Sequence, residues 1–296
     1  MIKDGFFDMG AVEYSDFLSK VNGLFSSEED AFDYLLMSAK CGEKCSVIRL
    51  GDGEAKIIGF PDYISLEKAE GQFKIWFGDK KFDDGYIHYF SKKLQLAIFD
   101  SEVVGLPTID RMSVRNEDGK LSNDASNCIA LWLSLIDIFG WEMLKQKIIV
   151  PANFNHWLQK SKGVRRILDS SKNVGFINHS MSLPESFYNS FLFNSVVFYQ
   201  IPGETWSRDE KVSKHFPERY TELCRSLRLK NLSGYVFFVG AGVLGKVYCS
   251  LIRDRGGVAI DMGAVIDGWN QKIPEQRQGL LRDASKMTID YLLNKN

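Results

Sequence analysis

The chain reads as an α/β protein with a Rossmann-like architecture: a mostly parallel sheet with helices on both faces. Three observations predict it. Seven short apolar runs of strand length recur along the chain, at 46–50, 102–106, 147–150, 173–177, 195–201, 235–239 and 258–261. Segments of helical length and period separate several of them, at 84–99, 125–139, 209–227 and 243–253. Two of the runs pass directly into glycine-rich turns, the kind of junction at which open α/β sheets meet their ligands.

Taken in order, residues 1–44 read as helices packed ahead of the first strand, with Glu28, Glu29 and Asp30 opening a helical stretch. Cys45-Ser46-Val47-Ile48 begins the sheet, and Arg49-Leu50-Gly51-Asp52-Gly53-Glu54 ends that strand. The helical segment 84–99 is amphipathic and carries His88. Leu106-Pro107-Thr108 leaves the second run, which places Asp110 and Arg111 past a strand end, where they suit an acceptor or phosphate as readily as solvent. The next two strand ends each precede an imidazole, in Asn155-His156-Trp157 and Asn178-His179-Ser180, so both rings are expected at the substrate edge unless they only bond their own loops. His215, before Phe216-Pro217, reads as a loop residue. After 195–201 comes Pro202-Gly203-Glu204-Thr205-Trp206-Ser207, a turn in which Trp206 offers a flat surface to a base or sugar ring, or simply packs. Short apolar strands alternating with helices imply parallel pairing with both faces covered. No repeat, low-complexity tract or linker interrupts the pattern, so one domain over 1–296 is expected, with the segment of about 1–44 packed on it.

Gly51-Asp52-Gly53-Glu54 is compatible with an ordinary turn, because Gly and Asp dominate turns for conformational reasons. It also sets two carboxylates at a strand end. Hard divalent cations such as Mn2+ or Mg2+ prefer such oxygens and leave positions for substrate phosphate. The late unit runs strand, Gly240-Ala241-Gly242-Val243-Leu244-Gly245, helix, strand, and ends at Asp261. Glycines let the backbone approach a phosphate, which the free N–H groups of a helix start favour. On this unit alone an NAD(P)-dependent oxidoreductase follows, using Gly240, Gly242, Gly245 and Asp261; that reading leaves Gly-Asp-Gly-Glu unexplained.

Together the two segments resemble bacterial glycosyltransferases of the GT-D fold. Ser46-Val47-Ile48-Arg49-Leu50-Gly51-Asp52-Gly53-Glu54 is similar to the family's SVIRFGDGE, and Val258-Ala259-Ile260-Asp261-Met262-Gly263 to its ALDIGH. The resemblance implies a GT-D type α/β fold and transfer of a hexose from a nucleotide-sugar donor, a UDP-sugar, to a glycan, glycoprotein or lipid-linked acceptor. It makes Asp52 and Glu54 the residues of a divalent cation, typically Mn2+, that meets the donor diphosphate. Asp52, Glu54 and Asp261 then count as catalytic. Arg49, Gly51, Gly53, Gly240, Gly242 and Gly263 are expected around the donor nucleotide. Many members carry His after the Asp-x-Gly, where this chain has Ala264. A base for the acceptor hydroxyl must then come from elsewhere. Asp261, Asp267, His156 and His179 are open candidates, with Trp206 as a further acceptor contact. The substitution also leaves open a non-catalytic protein that binds nucleotide sugar or carbohydrate.

Composition narrows the partners. At 296 residues, 45% apolar and 13% aromatic, the chain can bury a large core. Its 37 Lys and Arg nearly balance 38 Asp and Glu, which argues against nucleic acid as the main partner. The basic cluster from Lys160 to Arg166 is expected to be a solvated helix face. Cys41, Cys45, Cys128, Cys224 and Cys249 form no Cys-x-x-Cys pair, pointing to a reducing compartment. No stretch of 18 consecutive apolar residues occurs. A cytoplasmic protein is expected, peripheral at the inner face of the membrane if its acceptor is lipid-linked.

Overall fold

A computed structural model describes residues 11–78, 82–180, 182–202, 215–269 and 284–293. The seven expected strands form within a residue or two of their predicted bounds. They are β1 (Cys45–Arg49), β2 (Val103–Leu106), β3 (Ile148–Pro151), β4 (Asn173–Asn178), β5 (Ser195–Gln200), β6 (Tyr235–Val239) and β7 (Val258–Asp261). Every pairing is parallel, in the order β3-β2-β1-β7-β6-β4-β5. The chain therefore builds outward from β1 to β3, crosses over to β4 and β5, and closes inward with β6 and β7.

Alternation along each strand divides the interior into two cores. Ile48, Phe237 and Val239 point to one face, where α1 (Ala11–Asn22), α3 (Asp52–Ile58), α4 (Leu66–Phe77), α5 (Asp84–Asp100), α7 (Asn123–Lys145), α11 (Tyr220–Arg228) and α12 (Gly242–Asp254) supply Phe17, Phe73, Phe90, Trp132, Leu223 and Tyr248. Val47, Val236 and Phe238 point to the other. There α2 (Glu28–Cys41), α8 (Phe154–Lys160), α9 (Gly163–Ser170), α10 (Ser182–Ser190) and α13 (Val265–Trp269) supply Leu35, Leu158, Ile167, Phe187 and Trp269. A short helix, α6 (Ile109–Met112), follows β2. The acids foreseen at 28–30 do open a helix, α2, whose Ser27 hydroxyl caps the Asp30 N–H at 3.0 Å and which ends on Gly42 at φ 69°.

Several sequence expectations change. Gly51-Asp52-Gly53-Glu54 is a helix start: α3 begins at Asp52, and Glu54 Oε2 accepts the Gly51 N–H at 3.0 Å. Ala55, Ile57 and Ile58, buried behind it, supply the apolar face that drives the helix. The stretch from Lys160 to Arg166 is no continuous solvated face. It breaks between α8 and α9 at Lys162 (φ 62°), Arg166 lies over the Phe32 ring, and Arg165 pairs with Asp169 at 2.9 Å. Of the expected helix 209–227, the described part opens with a wide turn at His215–Arg219 and continues as α11. Trp206 lies outside the described residues. Helix α7 is, among the described residues, the one helix long and apolar enough to cross a membrane; half of its most apolar stretch is buried, and Gly140 (φ 72°) breaks it. All five cysteines are free thiols, four of them buried.

Candidate functional site

An open cavity of about 940 Å3 lies at the carboxyl edge of the sheet, a volume suited to a nucleotide-sized ligand. Each strand contributes a residue at or just past its end: Arg49 from β1, Thr108 from β2, Ala152 from β3, His179 from β4, Ile201 from β5, Gly240 from β6 and Gly263 from β7. The convergence follows from the all-parallel order, which brings every carboxyl end to one edge. The central part lies over β1, β7 and β6, where the two glycine-rich segments come together although they are far apart in the chain.

A buried polar cluster forms the floor. Arg49 donates through Nε to the Asp261 carbonyl, and through Nη1 to the Ala152 carbonyl and Asn155 Oδ1, each at 3.0 Å. Its Nη2 lies 3.7 Å from Asp261 Oδ1. Asn155 in turn donates to the Met262 carbonyl at 2.7 Å. Arg49 thus ties β1 to the ends of β3 and β7. Gly263, at φ 48°, is required beside it, because a Cβ there would collide with Arg49 Nη2.

Lys246, one turn into α12, completes the floor. Its Nζ stands 2.9 Å from Glu54 Oε1 and 3.1 Å from Asp261 Oδ2, and donates to the Gly242 carbonyl at 3.2 Å. Lys246, Glu54 and Asp261 are all buried, at 5%, 9% and 1% exposure. Asp261 Oδ2 has no aligned hydrogen-bond donor and is compensated by this ammonium. Burial alone would depress the Lys246 ammonium; the Asp261 and Glu54 carboxylates outweigh it and hold the group above the usual lysine range, so it is charged.

Of the residues expected from sequence, Arg49, Gly51, Glu54, His156, His179, Gly240, Gly242, Gly263 and Asp267 line the cavity. Three others do not. Asp52 opens α3 with a side chain 48% exposed, 3.8 Å from Lys56. Two residues apart in a helical turn, Asp52 and Glu54 leave the axis in different directions. Gly53 lies under the indole of Trp76, where a Cβ would come within 2.9 Å of the ring. Asp261 sits beneath the floor, with Oδ1 accepting the Gly263 N–H at 3.1 Å and Oδ2 facing Lys246. Its carboxylate, expected at the ligand edge, is instead buried beneath the cavity floor and engaged there by Gly263 and Lys246.

The late glycines are also explained in part by packing. A Cβ on Gly240 would lie 2.9 Å from Ile266 Cδ1, and one on Gly245 would lie 3.3 Å from Val239 Cγ1. Gly242 opens α12 at φ 54° and does line the cavity. His156 is held neutral: burial, then Arg49 and Lys160, lower its pKa to about 4.

Sequence reading missed Lys246, Trp76 and His215, all on the cavity wall. His215 Nε2 lies 3.0 Å from the hydroxyl of the fully buried Tyr248. A lysine in an amphipathic helix and a histidine beside Phe-Pro carry no local signal of this. Asp110 and Arg111 do line the cavity, with Arg111 anchored to Asp124 at 2.7 Å.

The chain is similar over most of its length to solved structures of the highly conserved domain of unknown function 1792. One, described as having a distinct glycosyltransferase fold, is 16% identical with a TM-score of 0.44, covering 80% of this chain and 82% of that chain. Another, described as a new glycosyltransferase from Streptococcus sanguinis, is 16% identical with a TM-score of 0.47, covering 83% and 84%. No protein-family model and no curated protein sequence matches the chain.

Proposed function

We propose that the chain is a glycosyltransferase that moves a hexose from a nucleotide-sugar donor, a UDP-sugar, to a glycan, glycoprotein or lipid-linked acceptor in the cytoplasm. The carrying observation is that the two segments resembling such enzymes, Arg49–Glu54 and 258–263, meet at the floor of one cavity at the carboxyl edge of the sheet. The reading puts the donor diphosphate above Gly51 and the start of α12, where Gly242 and the helix dipole favour an anion. Arg49 and Lys246 lie below it, ion-paired with Asp261 and Glu54.

The reading includes a divalent cation, Mn2+ or Mg2+; the described residues form no ready-made cluster of three ligands, so the reading has the ion held by one carboxylate, Glu54, in exchange for the Lys246 ammonium now seated on it. Glu54 faces the cavity, and hard cations commonly take one or two carboxylates with phosphate oxygens and water. Asp52, on the rim, is proposed to act through bridging water. Such an ion would supply charge that stabilises the leaving nucleotide diphosphate. For the acceptor hydroxyl, the reading takes His156 on the cavity wall, an imidazole unprotonated at neutral pH, as the base. The buried, ion-paired Asp261 is disfavoured in that role.

Calorimetry against UDP, GDP, CDP, ADP and NAD(P), each with Mn2+ and with chelator, tests the reading. Binding of one nucleoside diphosphate that strengthens with Mn2+ and weakens in Glu54→Gln is expected, with a smaller loss in Asp52→Asn. Binding of NAD(P) alone, or equal diphosphate affinity in Mn2+ and chelator for all variants, would overturn it.

A further inference from the structure

Lys246 is fully engaged. Its Nζ lies 2.9 Å from Glu54 Oε1 and 3.1 Å from Asp261 Oδ2, and donates to the Gly242 carbonyl at 3.2 Å. The cavity-facing Glu54 is engaged as well, with Oε2 accepting the Gly51 N–H at 3.0 Å and Oε1 taken by Lys246. A cation approaching Glu54 therefore meets an ammonium already seated on it, and like charges sharing a buried carboxylate repel strongly.

Charge balance points the same way. On the floor, Arg49 and Lys246 cancel Glu54 and Asp261. A divalent ion added alone leaves excess positive charge, and a diphosphate added alone brings uncompensated negative charge towards Glu54. Added together they nearly cancel. Lys246 also has somewhere to remain when it gives up Glu54, because Asp261 and the Gly242 carbonyl still hold it at the first turn of α12.

We propose that Lys246 is a resident counter-cation of Glu54 that a metal-bound diphosphate displaces, so that metal and diphosphate bind as one unit while either alone binds weakly. The idea rests on the donor site proposed above. Freed from Glu54, the ammonium stands beside the position assigned to the diphosphate and adds a positioning contact there.

Free Mn2+ followed by electron paramagnetic resonance, with and without saturating UDP, tests this in the wild type, Lys246→Met and Lys246→Arg. In the wild type, Mn2+ alone should bind weakly and UDP should tighten it about tenfold or more, with Mn2+ tightening UDP by the same factor. In Lys246→Met, Mn2+ alone should bind about tenfold or more tighter than in the wild type, because the competing charge is gone, and the coupling to UDP should shrink. Lys246→Arg keeps the charge and should stay weak for Mn2+ alone. If Lys246→Met does not fold in chelator, Mn2+ should restore a cooperative melt. A Lys246→Met protein that binds Mn2+ no more tightly than the wild type, or that stays unfolded with it, overturns the proposal, as does tight Mn2+ binding by the wild type alone. Should UDP fail to bind at all, the glycosyltransferase reading falls, and the comparison in Mn2+ alone still decides the role of Lys246.

Discussion

His156 shows how one residue can report the electrostatics of the whole site. Its ring is half-buried on the cavity wall near Arg49 and Lys160, and partial burial with these charges lowers its pKa from 6.5 to about 4. Between those values the unfolded chain binds a proton that the folded chain refuses. The stability His156 contributes is therefore complete above about pH 6.5 and is lost as pH falls towards 4. Urea unfolding of wild type and His156→Gln at several pH values checks this: the wild type should lose stability faster across that window, and the difference should level off above it. Parallel curves would place the ring in solvent. The sequence positioned His156 past a strand end correctly, whereas its neighbour Asn155 drew no notice as a site residue. Asn155 matters only because Arg49 and the Met262 carbonyl, distant in the chain, meet its amide.

Among elements, the strands were legible and the short helices were not. Apolar runs announce buried parallel strands directly, and β1 to β7 appear where such runs stand. Helix α3 was hidden because its first turn is glycine, aspartate, glycine and glutamate, a composition shared with loops, and only Ala55, Ile57 and Ile58 mark its buried face. Lys246 was hidden because α12 is amphipathic, and a lysine there reads as solvent-facing until Glu54 and Asp261 are seen around it. Register carries information that composition lacks. Gly175 in β4 pairs with Phe237 in β6, and a Cβ at Gly175 would fall within the Phe237 ring. The ring has little room to retreat, since Tyr199 and Tyr235 flank it. Gly175→Ala should therefore cost about 1–3 kcal/mol, seen as a lower urea midpoint with unchanged slope. Adding Phe237→Leu should recover part of the loss. A neutral Gly175→Ala would mean the strands can shift apart at no cost.

At the scale of the whole molecule, the order of the strands in the sheet differs from their order in the chain. β1 lies between β2 and β7, so the first strand waits for the last to complete its pairing, and β7 in turn bridges β1 to β6. Both cores span that junction. Phe237 and Val239 belong to one core with Ile48, and Val236, Phe238 and Ile260 belong to the other with Val47. The ion pair of Arg253 with Glu102, at 2.6 Å, fastens the end of α12 beside the β1 residue Ser46, whose N–H also reaches Glu102. A chain ending at residue 233, before β6, keeps five strands but separates them into β3-β2-β1 and β4-β5, each with a bare apolar edge where a central strand belongs. Loss of the two inner strands exposes both cores at once, so neither group should hold together alone. Such a chain should show no cooperative urea transition and should bind a hydrophobic dye, while the full chain unfolds cooperatively. A sharp transition in the shortened chain, with a slope scaled to its size, would instead make one strand group an independent folding unit and assign the late βαβ unit to the site alone.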